Sequence, residues 1–329
     1  MLKLGTNNID KIYLGDTKIA KAYLGDTLVY ESAPAHDYSQ DYLTFEALES
    51  GTFTLTIPTS VTSTYMTSIS YSTDNGSTWV TTQVDNTLQT ITTPTISKNN
   101  KVLWKGIGKG TASTYDKSSA FSSTGNFNLS GNIMSLLYGD NFTNKTTFPD
   151  NRSYIFGNLF QQSTKLVSAK NLILPATTLY MCCYYGIFTG CSSLTIPPKV
   201  LPATKLPQQS YAGMFSGCTS LTIAPKIYAT ILEGSSTCYY MFKNCTSLTE
   251  APELYASVLS GTCYYGMFSG CSNLNYIKML ATNINANDCL KNWVQNVAAS
   301  GTFVKHPNAS LSTGVNGIPS GWTVQTASS

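Results

Sequence analysis

Charge is scarce in this chain: only 11% of its 329 residues are Asp, Glu, Lys or Arg, and the net charge is +3. The 20 basic residues are scattered. No nucleic-acid partner is therefore expected, because neutralising phosphates takes grouped Lys and Arg. Histidine is rarer still, with only His36 and His306. Neither stands beside a credible nucleophile, so a Ser-His-Asp or Cys-His arrangement is not expected. No run of eighteen apolar residues occurs, which excludes a membrane-spanning helix, and no membrane insertion is expected. The opening residues, "MLKLGTNNIDKIYLG", lack the apolar run and small-residue cleavage site of a secretory signal. Cysteine is absent before Cys182, and all nine fall between Cys182 and Cys289. That excludes a disulfide scaffold for the whole chain, and an odd number argues for free thiols over bridges. Cys182, Cys183 and Cys191 lack C-x-x-C spacing and a nearby His, so neither a metal site nor a cofactor is expected.

What the chain has is a repeat. "IFTGCSSL" (187–194), "MFSGCTSL" (214–221), "MFKNCTSL" (241–248) and "MFSGCSNL" (267–274) place Cys191, Cys218, Cys245 and Cys271 at spacings of 27, 27 and 26 residues. The matching aromatic positions are Phe188, Phe215, Phe242 and Phe268. An earlier copy, "LFQQSTKL" (159–166), puts Ser163 at the cysteine position. Between copies stand "LPATTL" at 174, "LPATKL" at 201, "IYATIL" at 227 and "LYASVL" at 254. Self-similarity at this period predicts a solenoid, because one repeat cannot bury its apolar face alone and must stack on its neighbours. Phe and Leu then point inward in register. The cysteines act as small buried hydrophobes in a structural ladder, not as nucleophiles.

The pattern F-x-x-C-x-x-L followed by L-P-A-T-x-L resembles the BspA-like, Treponema-type leucine-rich repeat of bacterial surface proteins and of phages of gut bacteria. The resemblance covers about residues 154–283 and implies a leucine-rich-repeat solenoid with caps. The unit here runs a few residues longer than usual. Its third copy lacks the Gly before Met241, which predicts a bulge or a shortened helical turn there.

Residues 1–30 carry a second, shorter repeat: "KIYLGDTKI" (11–19) is echoed by "KAYLGDTLV" (21–29). Alternating apolar residues around Gly-Asp predict β-hairpins. Hairpins this small bury too little to stand alone. Ile12, Tyr13, Leu14, Tyr23 and Leu24 are therefore expected to meet sister subunits or a larger assembly. The YLGDT stretch resembles N-terminal segments of phage tail and head fibre proteins. That likeness implies partners among other virion proteins (capsid, portal or tail) and a homotrimer.

The expected fold is mainly β. Residues 1–30 form the hairpin segment and 31–41 a linker. Residues 42–131 form a β-sandwich with Phe53, Leu55, Trp79, Leu103 and Trp104 in its core. Residues 132–153 cap a solenoid over 154–289, and 290–329, with a short helix, a strand and a Trp322 plug, close it. "STDNGSTW" (72–79) fits the Asp-box pattern of sialidases. It occurs once and without a propeller period, so it reads as a hairpin turn capped by Asp74. "GIGKG" (106–110) departs from the P-loop spacing and reads as a turn. Asp140, Asp150, Glu250 and Glu253 are carboxylates that could pair as in glycosidases. Solvated loop acids are the expected reading, and no enzyme activity is expected.

Tyrosine is more informative. Tyr184, Tyr185, Tyr211, Tyr239, Tyr240, Tyr264 and Tyr265 recur near the same point of each repeat. Either one of each pair faces outward as a candidate host-binding surface, or both pack within the turn. The expectation that follows is a phage virion fibre or spike, located on the virion surface, whose solenoid recognises a host-surface glycan or protein. The alternative is an extracellular, cell-surface BspA-like adhesin.

Overall fold

The computed structural model describes residues 36–112 and 118–327 in full. It also describes the backbone of 113–114, 117 and six short strands within 1–31. The chain divides into two compact units, Met1–Asp37 and Tyr38–Ser329, and is mainly β.

The first unit holds β1 (Lys3–Leu4), β2 (Asn7–Asn8), β3 (Tyr13–Leu14), β4 (Thr17–Lys18), β5 (Lys21–Leu24) and β6 (Thr27–Glu31). They pair antiparallel in twos. Leu4 faces Asn7, Leu14 faces Thr17 and Leu24 faces Thr27, so equivalent pairs recur every 10 residues in sequence. Two of these pairings fall on the YLGDT copies. The third, on "KLGTNN", was not anticipated. Ile12 lies outside the described residues.

The second unit opens with β7 (Leu43–Ala47), β8 (Phe53–Ile57), β9 (Met66–Ser72), β10 (Val80–Gln83), β11 (Gln89–Thr92) and β12 (Lys101–Gly108). Next come β13 (Ala112–Thr114), β14 (Lys117–Ser118), β15 (Ala120–Ser123), β16 (Phe127–Asn132) and, further on, β17 (Leu166–Ile173). A sheet ordered β10-β9-β12-β7-β16-β17 faces a smaller one ordered β11-β8-β15. Phe53, Leu55 and Ile57 alternate inward along β8. Phe45 on β7 meets Phe53 at 5.3 Å and Phe121 at 4.8 Å between ring centroids, which joins the two sheets.

Trp104 is buried, but Leu103 and Trp79 are only half-buried. Successive residues of a strand face opposite ways, so burying Val102 and Trp104 turns Leu103 outward. The core assignment of Leu103 and Trp79 is corrected accordingly. The turn expected at "GIGKG" is corrected for its first three residues, which continue β12 to Gly108, and its glycines serve close backbone crossings. A Cβ at Gly106 would lie 2.6 Å from the Leu136 carbonyl oxygen, and one at Gly108 2.6 Å from that of Tyr65.

Helix α1 (Ser135–Tyr138) lies in the segment expected as a cap. Ser135 ties it down, accepting from the Leu43 amide at 3.0 Å and donating to the Trp104 carbonyl at 2.9 Å. Beyond it, β17 runs parallel to β16 as the edge of the six-stranded sheet. The larger of the facing sheets thus takes in a strand of the first repeat, and no unit boundary falls at the expected positions 131 and 153.

From residue 154 onward the repeats stack with two kinds of wall. One wall is parallel and strand-like. Its strands are β18 (Val200–Leu201), β19 (Lys205–Leu206), β20 (Lys226–Ile227), β21 (Ile231–Leu232), β22 (Tyr276–Met279), β23 (Thr302–Lys305) and β24 (Thr323–Thr326). β18 pairs with β20, β19 with β21, and β22, β23 and β24 run side by side, all parallel.

The other wall is a ribbon of consecutive turns. Amides of Tyr185, Ile187 and Thr189 bond three residues back, to Cys182, Tyr184 and Gly186. The alternate amides of Tyr184, Gly186 and Phe188 bond to Ser210, Ala212 and Met214 of the next repeat. This alternation requires a left-handed residue at every fourth position, as at Cys182 (φ 56°), Gly186 (φ 58°) and Gly190 (φ 73°). Backbone groups are thereby satisfied without helix.

The same ribbon replaces the helix expected after residue 290, where Asn292 (φ 54°) and Asn296 (φ 58°) hold the left-handed positions. Trp293 and Trp322 close this end, donating their indole N–H groups to the Gly317 and Ala298 carbonyls, both at 2.8 Å.

Candidate functional site

Phe160, Phe188, Phe215, Phe242 and Phe268 stack face to face through the repeat core, with successive centroids 5.4–5.7 Å apart. Each anchoring cysteine stitches this ladder backward. Cys191, Cys218, Cys245 and Cys271 donate their thiols to the carbonyls of Phe160, Phe188, Phe215 and Phe242 at 2.9–3.1 Å. All nine thiols are free and buried. Burial pushes Cys183, Cys191, Cys263 and Cys271 up to about 12, so these are poor nucleophiles. No metal-binding group of His, Cys, Asp and Glu occurs among the described residues.

The tyrosines divide. Tyr184, Tyr211 and Tyr264 are buried in the core and leave the candidate host-binding set. Their column alternates with the outward one, as the turn ribbon dictates. Tyr185, Tyr239, Tyr240 and Tyr265 are half-exposed. Tyr239 lies 4.1 Å from Tyr240 and 5.1 Å from Tyr265 between centroids. Lys243 sits 4.2 Å over the Tyr240 ring, and Lys291 5.7 Å over that of Tyr265. The third repeat departs from strict pairing. Cys238 fills the buried tyrosine position, and Tyr240 takes the glycine position at φ 52°. The expected bulge or shortened turn before Met241 is therefore absent.

The strand wall carries a second surface. A cavity of about 650 Å³ lies among Ile223, Lys226, Tyr228, Glu250, Glu253 and Tyr255. A neighbouring one of about 400 Å³ shares Ile223, Lys226 and Tyr228 and adds Lys170 and Lys199. Tyr228 is 46% exposed, Tyr255 39% and Ile223 52%, which leaves apolar area open to a partner. Glu253 accepts from the Tyr255 hydroxyl and, at 3.1 Å, from Lys278. The Tyr255 bond, aided by Lys278, holds its carboxyl below the usual carboxylate range. The sequence carries a signal for this surface. "IYAT" and "LYAS" put Tyr228 and Tyr255 where "LPAT" puts Pro175 and Pro202.

Asp140, Asp150 and Asp74 are engaged elsewhere. Asp140 binds Lys105 and accepts from the Tyr42 hydroxyl, both at 2.7 Å, and Lys105 lies 4.0 Å over the Trp79 ring. Asp150 binds Arg152 at 3.2 Å and Lys109 at 3.3 Å. In the single Asp-box, Asp74 accepts from the Thr78 amide and hydroxyl at 2.9 and 2.6 Å and from Ser72 at 2.7 Å. These bonds, those of Thr78 first, lower its pKa to about 2. Asn75 (φ 58°) and Gly76 (φ 88°) make the turn, and Trp79 donates to the Gly76 carbonyl at 3.1 Å. The motif is consumed by its own hairpin. Comparison with protein-family models, with curated proteins and with solved structures finds no match to this chain.

Proposed function

We propose that this chain is a structural protein of a phage virion, a head or tail fibre or spike that displays a leucine-rich-repeat solenoid for host-surface recognition. In this reading residues 1–30 attach to other virion proteins or to sister subunits in a homotrimer. Ile12, Tyr13, Leu14, Tyr23 and Leu24 are the attachment residues. The facing sheets form a spacer, and the stacked repeats meet the host with no catalytic step. The observation that carries the reading is the pairing of two unlike designs in one chain. Hairpin pairs recur every 10 residues within residues 1–31, and repeats with aromatic outer surfaces stack from residue 154 onward. Two-stranded pieces of this size are marginal alone and call for a partner. Several copies of a weakly binding repeat face would convert modest contacts into avidity. Phage particles banded on a density gradient test the reading. Peptides of this chain in the particle band, at a constant ratio to capsid protein, are expected. Their confinement to the cell-envelope fraction would favour the adhesin instead.

A further inference from the structure

The groove on the strand wall has a chemical gradient. At one end Lys170, Lys199 and Lys226 converge on one cavity whose lining contains no carboxylate. All three are exposed, and none makes an ion pair among the described residues. At the other end Glu250, Glu253 and Tyr255 line the larger cavity, while Ile223, Lys226 and Tyr228 lie on both. After the Tyr255 bond and Lys278, Lys226 also helps to lower the Glu253 carboxyl. A concave site with apolar walls and a few convergent polar groups is the usual form of a ligand site.

The backbone narrows the choice of ligand. The Lys226 amide donates to the Lys199 carbonyl at 2.9 Å, and that of Tyr228 to the Leu201 carbonyl at 3.3 Å. These strands are only two residues long, Val200–Leu201 and Lys226–Ile227, so an added peptide strand finds too short an edge for a ladder. A nucleic acid would set phosphates against Glu250 and Glu253, without the basic surface that binding needs. A sugar chain fits both ends. Acid groups meet the lysines, ring faces lie on Tyr228 and Ile223, and hydroxyls donate to Glu253.

We propose that this groove binds an acidic glycan, a polysaccharide bearing anionic groups on some sugars and free hydroxyls on others. The anionic groups lie on Lys170, Lys199 and Lys226, and the neutral sugars lie against Tyr228 and Tyr255. The inference deepens the recognition reading above and rests on it only for where such a glycan is met.

The test is calorimetric titration of the full chain with hyaluronate (a uronate alternating with a neutral sugar), sialyllactose and glucosylated glycerol-phosphate teichoic acid. Dextran, oligo-dT and polyglutamate serve as comparisons. Binding of at least one acidic glycan, weakened by salt, is expected. The double variant Lys199→Ala, Lys226→Ala should lose about tenfold or more in affinity, and so should Tyr228→Ala, with unchanged circular dichroism. Uronate or sialate binding assigns carboxylates as the anions, and teichoic acid binding assigns phosphates. No binding of any acidic glycan would overturn the proposal. So would undiminished affinity in the double variant, or equal binding of dextran, oligo-dT or polyglutamate. The assay is independent of particles. Glycan binding by a chain that does not fractionate with virions would remove the virion reading and leave the groove assignment standing.

Discussion

Phe215 stacks between Phe188 and Phe242 at 5.5 and 5.4 Å, and its carbonyl accepts the Cys245 thiol. Removing one ring from such a ladder leaves a cavity that its close-packed neighbours cannot fill. Phe215→Ala should cost about 3–5 kcal/mol, read from chemical unfolding. An unfolding midpoint that hardly moves would place the ring outside the core. The thiols make a second claim at this scale. In the unfolded chain they ionise near their ordinary value of 9.0, whereas burial holds Cys183, Cys191 and Cys271 neutral to about 12. Between those values the folded chain binds more protons than the unfolded one, so stability falls as pH rises. The contribution is whole below pH 9 and drains away above it. The thermal midpoint should stay level from neutral pH to about 9 and then drop steeply. A level midpoint to pH 11 would contradict the buried-thiol account. The recurrence of Phe and Cys was legible because core packing repeats whatever the backbone does. Which tyrosine of each pair faces in was not. That choice follows from the turn ribbon, and in the third repeat Cys238 takes the inner place.

At the scale of the element, the turn ribbon explains both what sequence patterns revealed and what they hid. Apolar spacing after residue 290 reads as helix, yet left-handed Asn292 and Asn296 divert alternate amides to neighbouring segments. Helix and ribbon bury similar residues, and only the positive-φ positions separate them. Glycine, Asn and other small polar residues mark those positions in most repeats, which is a readable signal once the four-residue spacing is known. Gly266 is needed twice over. It sits at φ 57°, and a Cβ there would strike the Tyr240 ring from the preceding repeat. Gly266→Ala should therefore destabilise by about 1–3 kcal/mol. The paired variant with Tyr240→Ala should recover part of that loss. No recovery in a thermal-shift comparison would mean that ring contact plays no part. The strand-wall groove was hidden for a different reason. Its tyrosines replace prolines in a column that repeats for structural purposes, so only exposure distinguishes Tyr228 from a packing residue.

At the scale of the molecule, the stack does not begin where the repeat motif begins. Phe121 of β15 stacks on Phe160 at 5.7 Å, and β17 extends the six-stranded sheet, so the facing sheets supply the first surface on which repeats are laid. An open end of such a stack exposes apolar area and must be covered. Sheets at one end and two tryptophans at the other do this. The hairpin segment lies in a separate compact unit, Met1–Asp37. Deleting residues 1–30 should leave the far-ultraviolet spectrum and melting of the rest in place while reducing the oligomer to a monomer in light scattering. An unchanged oligomer mass would move assembly to another surface. The most direct test of the whole account is immunogold microscopy of a producing culture with an antibody raised against the repeats. The account predicts label on phage particles, at the head or the tail according to the kind of fibre. Label on cell envelopes, with particles bare, would contradict it.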